Sequence, residues 1–448
     1  MIDLKDKRIV VMGLGRFGGG VDAARYAAAQ GGRVLVTDMA PESTLQEAVK
    51  QLETHGSVEF RLGSHEPNDF IEADVVVANP AVPPGNRFLQ LARDHSAVIT
   101  TQINLFFERC PARVVGITGA NGKSTTAALT AHLLETIGPQ VWLGGNIGNR
   151  PLLSNLNRIR TDDLVVLELS SFQTEMLASI ETGPRIALLT NLTPNHLDRH
   201  GSFEQYCQAK EALFQHQPTD TDNPPVSLFC AEDPVGVQWY QKYRSQPGRI
   251  CRLYSIDQVS DRIRGHYCLP GHANLLNLAA ALAIARCFST EDEALAQALS
   301  SFQPLQHRLQ CVATKQEIRW INDSIATTPE STMVALDAFA EPTILIAGGY
   351  DKGISFDELA RAISKKAKAV ILIGQTAPKL SLAIEASSPN HPPIITSDSL
   401  EGAVHQAATL AQQGDVVILS PACASYDMFD NFQQRGNKFI RLVQALPD

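Results

Sequence analysis

Paired cysteines are missing from this chain. Cys110, Cys207, Cys230, Cys251, Cys268, Cys287, Cys311 and Cys423 stand singly, with no CxxC among them. That argues against a zinc ribbon or a disulfide scaffold and points to a reducing compartment. Positive charge is also in deficit, 38 Lys and Arg against 47 Asp and Glu, for a net charge of −9. No chain-wide field therefore draws the protein to nucleic acid or to an anionic membrane, although a local basic pocket is compatible with the total. No apolar run approaches the roughly 20 residues of a membrane-spanning helix. The longest apolar helix candidate, residues 275–285, contains Asn277. Residues 1–7 lead straight into the strand-like Arg8-Ile9-Val10-Val11-Met12, so no signal peptide is expected. There is no short repeat and no low-complexity tract. The expectation is a cytoplasmic, soluble monomer with small-molecule partners, no nucleic acid and no membrane insertion.

The 448 residues, 44% hydrophobic and 19% charged, have ordinary globular composition. At roughly 150 residues per domain they suffice for about three domains. Short β-branched runs alternate with helical stretches, which predicts an α/β protein with mainly parallel sheets. A first block holds strands over 9–12, 34–37, 74–78 and 97–100, with helices over 18–30 and 45–55. A second holds strands over 114–118, 141–144, 164–169 and 186–191. A third holds strands over 319–322, 343–347, 369–373, 393–396 and 416–419. The expected domains are 1–101, 102–304 and 305–448, and the Pro-rich stretch 218–225 reads as an internal loop.

Two glycine loops join strands to helices. In the first, Gly13-Leu14-Gly15-Arg16-Phe17-Gly18 is followed by Asp38, 20 residues after Gly18, at the end of the next strand. This is the dinucleotide fingerprint, glycines at a diphosphate and an acid on a ribose hydroxyl. It signals a nucleotide diphosphate more strongly than it signals nicotinamide. An NAD oxidoreductase, another nucleotide ligand and a purely structural turn all remain open at this point.

In the second loop, Gly119-Ala120-Asn121-Gly122-Lys123-Ser124-Thr125 follows a buried strand, with Ile117 where a strict Walker A would have glycine. Gly119 and Gly122 free the backbone to curl around a triphosphate. Lys123 can neutralise its terminal oxygens, and Ser124 offers a hydroxyl to Mg²⁺. The apolar run Leu164-Val165-Val166-Leu167 ends in Glu168, a carboxylate at the sheet edge where ligands bind. His196, Asp198 and His200 share a face if their segment is extended, which leaves open a zinc site, ordinary hydrogen-bonding histidines, or one His in a Mg²⁺ shell. Ser202-Phe203-Glu204-Gln205 resembles a capping box. From it Lys210 falls in the apolar stripe with Phe203, Tyr206, Cys207, Leu213 and Phe214. Burial there would favour a neutral, nucleophilic amine, and the plainer reading is a snorkelling lysine.

Over nearly its whole length the sequence resembles the Mur ligase family. The carriers are Thr118 to Thr125, Gly145-Asn146-Ile147-Gly148, Glu168-Leu169-Ser170-Ser171-Phe172-Gln173 and Asn191 with His196-Leu197-Asp198-Arg199-His200. Leu269-Pro270-Gly271-His272-Ala273-Asn274-Leu275-Leu276-Asn277 and His307-Arg308 complete the set. Gly348-Gly349-Tyr350-Asp351-Lys352-Gly353, Leu419-Ser420-Pro421-Ala422-Cys423-Ala424-Ser425-Tyr426-Asp427, and Asn431-Phe432 with Arg435-Gly436-Asn437-Lys438-Phe439 are similar to the members that add D-glutamate.

The resemblance implies a UDP-binding Rossmann-like domain, a central P-loop ATPase-type domain and a Rossmann-like C-terminal domain. It implies ATP-dependent amide ligation of D-glutamate to UDP-N-acetylmuramoyl-L-alanine through an acyl phosphate, in peptidoglycan precursor synthesis. Carried over by motif, ATP would meet Gly119, Asn121, Gly122, Lys123, Ser124, Thr125, Asn277, Arg308 and Asp323. Two Mg²⁺ would be held by Ser124, Glu168, His196 and Lys210, the last as a CO₂-derived carbamate. Lys123, His196 and Lys210 would carry the chemistry, with His196 as a ligand rather than a base. Gly13, Gly15, Arg16, Phe17, Gly18, Asp38 and Asn146 would face the UDP-sugar. Thr327, Lys352, Ser425 and Phe432 would hold D-glutamate. Three positions depart from the family pattern: Ile325 where relatives commonly have lysine, Asn195 where many have Asp, and Met39-Ala40 where some place an Arg. Folylpolyglutamate synthase shares the ATPase logic, but the N-terminal glycine loop speaks against it. An NAD oxidoreductase leaves Lys123 and Lys210 unexplained, and a non-catalytic nucleotide switch would release no ADP. Cys423 has no identifiable activating partner and reads as a small core residue.

Overall fold

The computed structural model describes residues 1–15, 18–53, 58–136, 138–288 and 291–447. Three sheets follow one another along the chain. The first contains β1 (Arg8–Met12), β2 (Arg33–Asp38), β3 (Val58–Leu62), β4 (Val75–Ala78) and β5 (Val98–Thr100), all parallel, in the order β3-β2-β1-β4-β5. The second contains β6 (Arg113–Thr118), β7 (Val141–Gly145), β8 (Leu164–Glu168), β9 (Ile186–Leu189), β10 (Val226–Cys230) and β11 (Ile250–Tyr254). It too is parallel, in the order β11-β10-β9-β6-β8-β7. The third is mixed. It contains β12 (Gln310–Lys315), β13 (Ile318–Asn322), β14 (Thr343–Gly348), β15 (Ala367–Ile373), β16 (Ile394–Ser397) and β17 (Val416–Leu419), in the order β12-β13-β17-β14-β15-β16. Only β12 in this sheet runs antiparallel to its neighbour.

This topology decides where ligands can bind. The winding direction reverses at β1, flanked by β2 and β4, and at β6, flanked by β8 and β9. At such switch points the loops leaving the carboxyl ends of the strands splay apart and open a crevice. Both glycine loops leave these two strands. The third sheet reverses around β14 and β17, so the segments after β13, β14 and β17 gather at one edge.

The chain divides into two compact units, Met1–His266 with Leu276–Leu299, and Tyr267–Leu275 with Ser300–Asp448. In the first unit one apolar cluster runs through both sheets, from Ile9, Val11 and Val36 to Val165, Leu189 and Phe229. Asp22, only 4% exposed, fastens the two sheets together. Its carboxylate accepts hydrogen bonds from Leu153 N at 2.9 Å, Ser154 N at 3.0 Å and Gln102 Nε2 at 2.9 Å. The second unit has its own core around Trp320, Ile346, Leu419 and Phe439.

Four strands escape the sequence reading: β3, β10, β11 and β12. The edge strands β3, with Glu59 and Arg61, and β12, with Gln310 and Lys315, keep polar residues that carry little apolar signal. The pair β10 and β11 follows the 218–225 loop, which forms neither helix nor strand. A second difference lies at 196–200. The segment is not extended but forms the helical turn Leu197–His200, entered through His196 in the left-handed region at φ 52°.

Candidate active site

The loop after β6 is built so that only glycine fits its two corners. Gly119 has φ +147°, and a Cβ there would lie 1.9 Å from Thr190 Oγ1. Gly122 has φ +82°, and its Cβ would lie 2.1 Å from Asn277 Oδ1. The end of β9 fixes the loop from the side. Ala120 N donates to Asn191 O at 2.8 Å, Asn121 N to Asn191 Oδ1 at 3.0 Å, and Thr190 Oγ1 to Asn121 O at 2.6 Å. Gly122 then caps the helix Lys123–Glu135 without a side-chain hydrogen bond. The positive end of that helix, with its backbone N–H groups, is thereby presented to an anion. Lys123 Nζ reaches back to Ala120 O at 2.7 Å, and Ser124 follows on the same turn. Asn277 joins this assembly through Thr126 Oγ1 at 3.3 Å.

Beside the loop, Glu168 ends β8 at 2% exposure. Its Oε1 accepts from Asn146 Nδ2 at 2.9 Å, and its Oε2 is buried without a partner. An orphaned carboxylate oxygen in a buried position asks for a cation or a donor. Lys210 is buried at 1% exposure on the helix Phe203–Gln215, whose start is capped by Ser202 accepting from Gln205 N. Lys210 Nζ donates to Thr118 Oγ1 at 3.2 Å and lies 5.0 Å from the Tyr206 ring centroid. Burial above all, then the charge of Lys123, holds this amine well below the usual lysine range, while Glu168 pulls the other way. The snorkelling alternative is thereby excluded, since the ammonium end does not reach solvent.

The donor set here, the Ser124 hydroxyl and the unpartnered Glu168 oxygen, suits a hard cation such as Mg²⁺. Among the described residues, no three His, Cys, Asp or Glu side chains gather as a metal centre. The zinc reading of His196, Asp198 and His200 is thus corrected. The helical turn sends His200 Nε2 to Ser171 Oγ at 2.9 Å and stacks its ring on Phe172 at 5.4 Å. Burial lowers the pKa of His200. His196 instead lines a cavity of about 340 Å³ with Asn146, Phe172 and Gln173.

That cavity runs to the first glycine loop, taking in Gly13, Gly19 and Gly20. Gly13, Gly15 and Gly18 all have positive φ, as the fingerprint requires. Arg16 and Phe17 lie outside the described residues. Asp38 also braces the loop. Its Oδ2 accepts from Leu14 N at 2.8 Å and Gly15 N at 3.2 Å, and its Oδ1 from Ala40 N at 2.9 Å. The acid holds the loop itself, and it also lines a second cavity of about 750 Å³ with Met39, His65, Arg87 and Phe88.

In the second unit the predicted residues sit at the reversal edge of the third sheet. Asp323 accepts from Ser420 Oγ at 2.8 Å and Leu309 N at 3.2 Å. Burial pushes its carboxyl up to about 7, opposed by the Ser420 hydrogen bond and by the charge of Arg308. Ser425 is buried, Thr327 half-buried and Lys352 exposed. Phe432 opens the helix Phe432–Gln444, and its carbonyl accepts from Ser324 Oγ at 2.8 Å. Cys423 is buried against Thr376 Oγ1 at 3.3 Å, and burial pushes its thiol up, which agrees with the core reading.

Thr190 escaped the sequence reading, and Thr118, Asn191 and Arg435 entered it only as motif residues with no role. Thr118, Thr190 and Asn191 shape the second glycine loop; their position at strand ends facing it was the available signal. Arg435, fully buried, donates to Ser324 Oγ at 3.0 Å, Ser324 O at 2.9 Å and Cys423 O at 3.1 Å. It ties the segment after β13 to the segment after β17. Burial brings its guanidinium down to about 10.

Comparison with known proteins follows the same three-part division. Residues 7–101 match the Mur ligase MurD-like N-terminal domain, 117–268 the Mur ligase middle domain, and 307–423 the Mur ligase glutamate ligase domain. The UDP-N-acetylmuramoylalanine–D-glutamate ligase of Roseiflexus sp. is 38% identical, over 99% of this chain and 100% of that protein. Among solved structures, the UDP-N-acetylmuramate–alanine ligase MurC of Thermotoga maritima superposes with a TM-score of 0.60 at 19% identity, covering 98% of this chain and 99% of that one. The MurF ligase of Thermotoga maritima in complex with ADP gives 0.59 at 16% identity, covering 99% of both. These two share the fold. On the strength of the three domain matches and the full-length relative, the chain belongs to the Mur ligase family.

Proposed function

We propose that this protein is an ATP-dependent ligase that joins D-glutamate to UDP-N-acetylmuramoyl-L-alanine, a cytoplasmic step of peptidoglycan precursor synthesis, and that it acts as a monomer. The observation that carries the reading is the loop after β6. Glycine corners locked by Thr190 and Asn277, Lys123 at the helix start and a buried, neutral-leaning Lys210 beside it make a site for a nucleotide's terminal phosphates. The full-length likeness to D-glutamate-adding relatives supplies the substrates.

On this reading the domains are 1–101, 102–304 and 305–448. Gly119, Asn121, Gly122, Lys123, Ser124 and Thr125 bind the phosphates of ATP, and Asn277, Arg308 and Asp323 its nucleoside. Gly13, Gly15, Gly18, Asp38 and Asn146 face the UDP-sugar, as would Arg16 and Phe17 by motif. Thr327, Lys352, Ser425 and Phe432 hold D-glutamate. Ser124, Glu168, His196 and Lys210 would hold two Mg²⁺, which when bound supply neutralising charge for the phosphoryl group. A neutral Lys210 amine is the form that adds to CO₂, releasing a proton and becoming an anionic carbamate.

The substrate's alanine carboxylate attacks the γ-phosphorus of ATP, the bond to the β-phosphate oxygen breaks, and ADP leaves. Lys123 offsets the repulsion between anionic nucleophile and anionic phosphate. The amine of D-glutamate then attacks the acyl carbonyl, phosphate departs with the bonding electrons, and the amine loses a proton. The test is phosphate release with purified protein. It should require ATP, UDP-N-acetylmuramoyl-L-alanine and D-glutamate together, with L-glutamate inactive. Release that ignores either acceptor would overturn the assignment.

A further inference from the structure

The segment that pins the second glycine loop is itself held from behind. β9 ends at Leu189, and its pairing with β10 ends there too, opposite Phe229. Residues 190–192 run on past that ladder, yet Thr190 and Asn191 are the groups that fix Ala120 and Asn121. Two side chains from beyond β9 reach back to this stretch. Tyr254, fully buried at the end of β11, shares its hydroxyl proton between Leu189 O at 2.9 Å and Thr190 O at 3.3 Å. Asp233, also buried, accepts from Leu192 N at 3.0 Å with one oxygen and from Gly236 N at 2.6 Å with the other. The same carboxylate caps the helix Pro234–Tyr243.

Packing alone asks for neither group. Phenylalanine would fill the Tyr254 position with the same ring, whereas a buried hydroxyl is a polar atom that has to find an acceptor. A helix start takes Ser or Asn as readily as Asp. Burial pushes the Asp233 carboxyl up, against the pull of its two N–H donors. What both groups add is a fixed position for the chain from 189 to 192. On its other side the same stretch grips the loop, Thr190 Oγ1 donating to Asn121 O at 2.6 Å and Asn191 O accepting from Ala120 N at 2.8 Å. β11 stands three places from β6 in the sheet, roughly 14 Å at the usual strand spacing, so the tyrosine acts through β9. The inference rests on reading this loop as the triphosphate site. We propose that Tyr254 and Asp233 are positioning residues for that site. By holding residues 189–192 they set where Ala120 and Asn121 stand, and so the direction in which the start of the helix Lys123–Glu135 meets a phosphate.

The experiment is calorimetric titration of the full chain with ATP and Mg²⁺, and separately with UDP-N-acetylmuramoyl-L-alanine. The proteins compared are the native one, Tyr254→Phe, Asp233→Asn and Tyr243→Phe. Tyr243 is the matched control: it too is buried, and its hydroxyl donates to Glu211 Oε1 at 2.8 Å rather than to residues 189–192. Tyr254→Phe should bind ATP about fivefold more weakly, the scale of one lost hydrogen bond, and the nucleotide-sugar as the native protein does. Asp233→Asn, whose amide can accept only one of the two N–H donors, should show the same selective loss. Tyr243→Phe should bind both ligands as the native protein does. Unchanged ATP affinity in either Tyr254→Phe or Asp233→Asn would overturn the proposal. So would an equal loss for both ligands, or an equal loss of ATP binding in Tyr243→Phe, since each marks general loosening of the domain. If the native protein bound no ATP, the triphosphate reading itself would fall, and this inference with it.

Discussion

The two glycine loops share a backbone plan and are pinned by different groups. Each leaves a central parallel strand at a point where the sheet reverses, and each passes through left-handed glycines into a helix. In the first, a carboxylate, Asp38, takes up two loop amides. In the second, the loop is pinned by neutral groups of Thr190 and Asn191, and Lys123, the Glu168 carboxylate and the buried Lys210 stand close by. A helix start alone attracts any anion. On the proposed reading, these surroundings suit the second loop to a triphosphate and the first to a diphosphate already screened by two esters.

This contrast can be broken by substitution. The largest effect is expected from Lys123→Ala and Lys210→Ala. Each should lower ligation, measured as phosphate release, by about 10²- to 10⁴-fold, with unchanged circular dichroism. Neither should alter binding of the nucleotide-sugar by calorimetry. For Lys210→Ala, a short carboxylate added to the assay should restore part of the rate. If nucleotide-sugar affinity fell along with turnover, the two loops would not be separate sites.

Matched glycine substitutions come next. Gly119→Ala forces a methyl to within 1.9 Å of Thr190 Oγ1, in a buried strand end that cannot give way. A loss of about 3 kcal/mol in thermal or urea unfolding is expected. Gly15→Ala meets only the amide end of Asn79, at 2.9 Å, a side chain that can shift by loosening its long 3.3 Å bond to Gly13 O. Its cost should be about 1 kcal/mol, mainly from the left-handed backbone. The smallest effect is expected from Asp38→Asn. Exchanging a charged acceptor for a neutral one at two loop amides should raise KM for the nucleotide-sugar roughly three- to tenfold. KM for ATP should stay where it was.

Much of the site is legible in the sequence because chemistry here sits at strand ends. A run such as Leu164-Val165-Val166-Leu167 fixes a buried strand, and whatever polar residue terminates it must emerge at the ligand edge, as Glu168 does. The buried position of Lys210 follows from the helical period by the same logic. Less legible are groups whose partners come from distant segments. Asn191 and Thr190 look like ordinary strand-end residues until the loop folds over them. Tyr254 finds its acceptors on Leu189 and Thr190, 65 and 64 positions away. The helical turn at His196 stayed open in the sequence because φ at a single residue leaves no trace in a hydropathy pattern. Edge strands such as β3 escaped because half their side chains face water.

The bonds that Asp22 makes to Leu153 and Ser154 have a consequence for substrate choice. With the first two sheets fastened at their seam, the spacing between the two glycine loops is set by the scaffold, and on the proposed reading that spacing gauges the acceptor. An acceptor longer or shorter by one amino acid would carry its acid group past, or short of, the phosphorus it has to reach. Discrimination by length then needs no residue dedicated to refusing the wrong molecule.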